Sequence, residues 1–154
     1  MLANLFVAFS KNIVLLSSLT AWITAQILKS ITSYWRHREF RAERLVGAGG
    51  MPSSHTALVV GLASAVAFHN GVDSPLFAVA IVLAGIVMYD AAGVRRAAGK
   101  QAKVINKLVQ ELRVEHRVKD TRLKELLGHT PLEVLAGALL GFLMAYGFDR
   151  FFQQ

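Results

Sequence analysis

Two short segments of the sequence carry residues suited to acid–base and nucleophilic chemistry. The first, Gly-Gly-Met-Pro-Ser-Ser-His, ends at His55, and the second, Gly-His-Thr-Pro-Leu-Glu, runs from Gly128 and contains His129 and Glu133. Imidazole acts as a nucleophile or as a proton donor near neutral pH. His129 and Glu133 are four residues apart, so on one helix face the carboxylate can fix the histidine tautomer. The other ring nitrogen is then free to attack an electrophile.

Cations and small residues around these histidines favour an anionic ligand. Arg95 and Arg96 offer forked donors that suit phosphate oxygens, and helix N-termini attract phosphate through their unpaired N–H groups. The acidic residues are too few and too scattered for a two-metal site, so we expect neither a metal nor another cofactor. The predicted phosphate-binding residues are Lys29, Gly50, Ser53, Ser54, Arg95 and Arg96, with Asp90 as a supporting carboxylate.

The same residues also have purely structural interpretations. Ser53 or Ser54 can cap a helix that begins after a proline. Thr130 and Glu133 fit a capping box, which would use the carboxylate that His129 needs. The histidines can be interfacial polar residues, the two arginines membrane anchors, and Asp90 the ion-pair partner of a nearby arginine. The sequence leaves these alternatives open, although the joint arrangement favours a site.

Four apolar stretches must position these residues. The chain has 154 residues, of which 54% are hydrophobic, and a net charge of +7. Four uncharged runs of roughly 15–17 residues approach the length that crosses a bilayer, and too little other chain exists to bury them all. The sequence therefore predicts an all-α integral membrane bundle that forms a single domain, 1–154. The predicted spans lie near 10–30, 53–70, 75–93 and 131–149, with a cytoplasmic amphipathic helix near 97–114 and a short helix at 123–127.

The distribution of charge predicts an orientation. Fifteen of the 17 Lys and Arg residues lie in two segments, 29–50 and 91–130. By the positive-inside rule these segments are cytoplasmic, so both termini lie outside and both histidine segments face the cytoplasm. We interpret the basic surface as a feature of topology and lipid headgroups, and we expect no nucleic-acid partner. The Gly137-x-x-x-Gly141 pattern indicates an internal helix-packing face rather than a dimer motif.

The sequence contains three motifs in order: Gly49-Gly-Met-Pro-Ser-Ser-His55, Asp90-Ala-Ala-Gly-Val-Arg-Arg-Ala-Ala-Gly99 and Leu126-Leu-Gly-His-Thr-Pro-Leu-Glu133. Together they resemble the divergent bacterial and plastid branch of the superfamily of type 2 phosphatidic acid phosphatases and vanadium haloperoxidases. The similarity runs from about Gln26 to Gly141. Ser54 replaces a glycine of the superfamily pattern, Glu133 replaces an aspartate, and Leu123 stands where the superfamily has an arginine.

The resemblance implies a membrane phosphatase that acts on a lipid phosphomonoester or pyrophosphate, such as a polyprenyl phosphate, in a bacterial cytoplasmic or plastid membrane. It implies that His129 forms a phosphohistidine, that Glu133 orients it, and that His55 protonates the leaving oxygen. A homo-oligomer is left open. A non-catalytic membrane protein with an anionic headgroup site is the main alternative. A serine hydrolase is disfavoured, because the sequence lacks a Gly-x-Ser-x-Gly elbow.

Overall fold

Five long α-helices make up most of the computed structural model, which describes residues 7, 9–38, 50–114, 123 and 128–152. A π-helical turn joins the third helix to the fourth, and the described residues contain no strand. The all-α prediction is therefore confirmed. The elements are α1 (Ile13–His37), α2 (Ser54–Asn70), α3 (Pro75–Tyr89), the π turn (Asp90–Val94), α4 (Arg95–Val114) and α5 (Pro131–Phe152).

Polar side chains begin four of these helices. Asn12 accepts a hydrogen bond from the third backbone N–H of α1 at 3.0 Å, and Ser74 does the same for α3 at 3.2 Å. Ser53 caps α2, and Thr130 caps α5. Such caps satisfy N–H groups that a helix start leaves unpaired, and an unpaired group is especially costly in a bilayer. The helix starts are thus set locally by the sequence.

Helix α2 lies at the centre of the bundle and packs against α1, α3 and α5, while α1 also packs against α5. Small residues allow this close approach. A Cβ atom on Gly137 would clash with the Ser53 carbonyl, and one on Gly141 would lie 2.8 Å from the Gly61 nitrogen. Ala57 of α2 is fully buried in the same region. The prediction that the Gly137/Gly141 pair packs internally is confirmed.

Within the described residues, three helical stretches are long and apolar enough to cross a bilayer: Ile13–Trp35, Pro75–Leu112 and Pro131–Phe152. Helix α2 is shorter, at 17 residues, and is largely covered by its neighbours. The outer faces of α3 and α5 carry exposed Leu, Val and Ile side chains, as contact with lipid requires. The chain is a multi-pass membrane protein, and the four-span topology with its orientation stays a prediction.

Helix α4 continues from α3 through the π turn, whereas the sequence predicts a separate helix after a break. Among the described helical elements, α4 packs mainly against the π turn. Asn106 holds Leu123 through its side-chain amide, which donates to the Leu123 carbonyl and accepts from the Leu123 N–H, both at 2.8 Å. The rest of the predicted helix at 123–127 lies outside the described residues.

Candidate functional site

The two histidine segments meet at one end of the bundle, beside the π turn. The His129 N–H donates to the Ala91 carbonyl at 2.9 Å, and the Ser53 N–H donates to the Glu133 carbonyl at 3.0 Å. Gly128, with a φ of +86°, lies so close to the backbone of Arg95 that any side chain there would clash. The start of α2, the π turn and the start of α5 are therefore fixed to one another by backbone contacts.

The two predicted catalytic histidines are neighbours. The ring centroids of His55 and His129 lie 6.2 Å apart, with 62° between the ring planes. His55 is exposed, whereas His129 is only 2% exposed. The Nδ1 atom of His129 lies 3.2 Å from Oε2 of Glu133, and Nε2 is buried with no hydrogen-bond partner among the described residues. When Nδ1–H donates to the carboxylate, Nε2 keeps a free lone pair.

Glu133 both contacts His129 and takes part in a capping box, the two roles that the sequence left as alternatives. Its Oε2 atom accepts from the Thr130 N–H at 2.9 Å as well as contacting His129. The Glu133 N–H in turn lies 3.3 Å from Oγ1 of Thr130, which completes a capping box. The two interpretations are compatible, because His129 directly precedes the cap residue Thr130. The Glu133 carboxylate points back toward Thr130 and so reaches both residues. A capping box uses Glu or Gln at this position, which accounts physically for glutamate here.

Lys29 of α1 belongs to the same end of the bundle. It is only 3% exposed, and its side-chain carbons lie 3.2 Å from where a Cβ atom on Gly50 would stand. Gly50 has a φ of +97°, a conformation that favours glycine. Thr32 also holds this segment, because its hydroxyl donates to the Met51 carbonyl at 2.7 Å. A buried lysine on a membrane-spanning helix is costly, so Lys29 is a candidate functional residue.

The protonation state of His129 follows from this environment. Burial lowers the pKa of His129 below its ordinary value of 6.5, and the positive charge of Lys29 acts in the same direction. The hydrogen bond and the charge of Glu133 and, more weakly, the nearby Gly50 backbone oppose this shift in the pKa without cancelling it. His129 is thus neutral at neutral pH, which is the form a nucleophilic imidazole requires.

The two arginines have different surroundings. Nε of Arg95 donates to Oδ2 of Asp90 at 2.6 Å, and Arg95 lies close enough to His55 for its charge to act on that ring. The exposed side chain of Arg96 makes no hydrogen bond or ion pair with any described residue. The structure therefore brings Arg95 and Asp90 to the histidine pair, whereas only the backbone of Arg96, and not its side chain, lies against the segment that carries His129.

The two serines are buried beside the histidines. Ser53 is 0% exposed, and its Oγ accepts from the Thr56 hydroxyl at 2.9 Å and from the Thr56 N–H at 3.4 Å. Its role as the cap of α2 is confirmed, while phosphate contact by Ser53 or Ser54 stays a prediction. No cluster of three or more His, Asp or Glu suited to a metal ion occurs within the described residues.

Sequence reasoning missed three supporting groups: the Thr56 hydroxyl, the Thr32 hydroxyl and the Ala91 carbonyl. A threonine three residues after a serine cap is a recognisable signal for the first. The Ala91 carbonyl reaches His129 through the π turn, and π turns recur at functional sites. The motif Asp90–Gly99 draws attention to this region without revealing its geometry.

The fold and the site define the class: a helical membrane protein with paired histidines at its helix N-termini. Sequence comparison identifies the family. The profile of the Divergent PAP2 family matches residues 10–144. The chain is 44% identical over 152 residues to the uncharacterized membrane protein YuiD of Bacillus subtilis (strain 168). The aligned region covers 92% of this chain and 96% of that protein. No solved structure is significantly similar to the chain. The chain belongs to the Divergent PAP2 family, which confirms the resemblance.

Proposed function

We propose that the protein is a membrane phosphatase that hydrolyses a lipid phosphomonoester or pyrophosphate. The observation that carries this proposal is the state of His129. Its Nδ1 atom contacts a carboxylate, its Nε2 atom is buried without a partner among the described residues, and a second histidine lies beside it. A buried nitrogen without a hydrogen bond is unfavourable, so its presence supports a role in binding or attack.

The proposed reaction has two steps. Nε2 of His129 attacks phosphorus, the bond from phosphorus to the lipid oxygen breaks, and His55 donates a proton to that oxygen. His55 then removes a proton from water, whose oxygen attacks the phosphohistidine. The phosphorus–nitrogen bond breaks, inorganic phosphate leaves, and His129 is regenerated. Glu133 stabilises the positive charge that develops on the His129 ring during the attack.

The nonbridging phosphate oxygens are bound, in this proposal, by cations and by the start of α2. Lys29 and Arg95 supply positive charge close enough to act on the histidines, and helix N-termini bind phosphate through backbone N–H groups. Gly50 allows close backbone approach, and Ser53 and Ser54 lie beside it as further donors. Arg96 would have to turn inward to contribute. The substrate would be a membrane lipid or polyprenyl phosphate.

Charge asymmetry supports a cytoplasmic position for this site, in a bacterial or plastid membrane. Twelve of the 17 cations would lie in the same two segments, 29–50 and 91–130, even without the candidate ligands Lys29, Arg95 and Arg96. Such a bias sets the orientation of membrane proteins with short loops. The orientation is testable by labelling a cysteine placed in either loop, because the natural chain contains no cysteine.

A second candidate function is binding of an anionic lipid headgroup without turnover. It is favoured by Leu123, which replaces the superfamily arginine and is held by Asn106 of α4 through its backbone. No cation is supplied from that position. In this case the histidine pair would bind a phosphate group but would not form a covalent intermediate.

The decisive experiment measures phosphate release and covalent phosphorylation in detergent with a panel of lipid phosphates and polyprenyl pyrophosphate. We expect His129→Ala to abolish both, because the attacking nitrogen is lost. His69→Ala, an exposed histidine at the far end of α2, is the matched control and should leave both unchanged. Wild-type rates in His129→Ala would refute the proposed nucleophile. Saturable lipid binding by wild-type protein, with no turnover or phosphorylation across the panel, would favour the second candidate.

A further inference from the structure

The guanidinium of Arg95 is held by one edge. Its Nε–H donates to Oδ2 of Asp90 at 2.6 Å. A guanidinium carries five N–H donors, so four of them, on the two terminal nitrogens, are not used by this contact. Those four have no partner among the described residues. Asp90 therefore holds the guanidinium at Nε, while the two terminal nitrogens stay available to an anion.

The π turn makes this pairing possible. In an α-helix each residue turns by about 100°, so side chains five apart point about 140° away from each other. In the π turn the Arg95 N–H donates to the Asp90 carbonyl, an i to i+5 bond that winds the backbone more widely. This brings the Asp90 and Arg95 side chains to the same side. The adjacent Ala91 carbonyl holds the His129 N–H, so one turn positions both groups.

We propose that Asp90 is a positioning residue that aims the terminal nitrogens of Arg95 at the anion bound by the histidine pair. This inference rests on the proposed function, because it requires a phosphate group beside His55 and His129. The side chains of Asp90 and Arg95 are 38% and 48% exposed, and exposed ion pairs add little to stability. The contact thus controls the direction of Arg95 more than it stabilises the fold.

A double-mutant cycle on binding of inorganic phosphate tests this proposal. Calorimetry on the full chain in detergent would compare wild type, Asp90→Ala, Arg95→Ala and the double variant. We expect Asp90→Ala to weaken phosphate binding about tenfold, but to change it less than about twofold when Arg95 is already absent. Asp90→Asn should recover part of the loss, because its amide oxygen still accepts from Nε. Asp73→Ala, an exposed acid in the α2–α3 connection, is the control and should have no effect.

Four results would overturn the proposal. These are an unchanged affinity in Asp90→Ala, a tighter affinity in that variant, an undiminished effect in the Arg95→Ala background, and no phosphate binding by wild-type protein. Thermal unfolding of each variant shows that the fold is intact. Turnover of a lipid phosphate is measured separately. Coupled phosphate binding without turnover would refute the phosphatase and keep the role of Asp90, whereas turnover without coupling would do the reverse.

Discussion

The end of the bundle where His55 and His129 meet, called here the histidine end, and helix α4 both contain many polar residues. Several of those at the histidine end are buried, whereas the lysines of α4 are exposed. At the histidine end, Lys29, Ser53 and His129 are almost completely buried. On α4, Lys100 and Lys103 are exposed. Burying a polar or charged group costs free energy unless it is paired or used, whereas an exposed lysine costs almost nothing. The same residue type, lysine, is therefore constrained by its buried surroundings at one end and replaceable at the other.

The largest effect that this comparison predicts is on catalysis at the buried end. Glu133→Gln should lower kcat by roughly 10²-fold or more, because the charge that stabilises the His129 cation is lost. The hydrogen bond and charge of Glu133 raise the pKa of His129, so this variant should lower that pKa further. Since activity requires neutral His129, the acidic limb of the pH–rate profile should move to lower pH. A rate profile from pH 4 to 9 on a lipid phosphate measures both effects.

Matched controls for this variant come from the capping box. Thr130→Ala removes the hydroxyl beside the Glu133 N–H but leaves the carboxylate and the Thr130 backbone N–H in place. It should lower stability by about 1 kcal/mol, as loss of a helix cap does, with a small effect on rate. Equal losses of kcat in Thr130→Ala and Glu133→Gln would show that the carboxylate acts only as a cap.

The next effect concerns packing below the histidines. Gly137→Ala should destabilise the protein by about 1–3 kcal/mol, because its Cβ would clash with the Ser53 carbonyl. Gly147→Ala, on the same helix, meets no atom within 4 Å and should be neutral or slightly stabilising, since alanine is the better helix former. Thermal unfolding in detergent compares the two. Equal stability in both variants would contradict the close α2–α5 approach.

The smallest effects separate the two classes of lysine. Lys29→Gln should weaken binding of inorganic phosphate about tenfold, the order of effect expected when a charged ligand group is removed. Lys103→Gln should change it less than about twofold and leave stability within about 0.5 kcal/mol of wild type. Calorimetry and thermal unfolding give both values. Comparable losses of phosphate binding in the two variants would show that long-range charge, rather than the buried site, attracts the anion.

Much of the fold could be predicted because membrane helices depend on composition. The apolar runs and the polar caps indicate where α1, α2, α3 and α5 lie, and the positions of His55 and His129 before apolar runs place both at helix starts. The π turn could not be predicted, because Asp90–Val94 has no local preference for it and Gly128 and His129 dock against it from a distant part of the chain. For the same reason, the different surroundings of Arg95 and Arg96 could not be predicted from their adjacent positions in the sequence.

The contact between Gly128 and the backbone of Arg95 affects which insertions and deletions the protein can tolerate in evolution. The two ends of the segment that joins these residues are therefore held together. Insertions or deletions in that stretch therefore alter a closed loop whose ends stay fixed, and the entropic cost of loop closure grows only slowly with length. We therefore expect a change in the length of that segment to leave the distance between His55 and His129 unchanged.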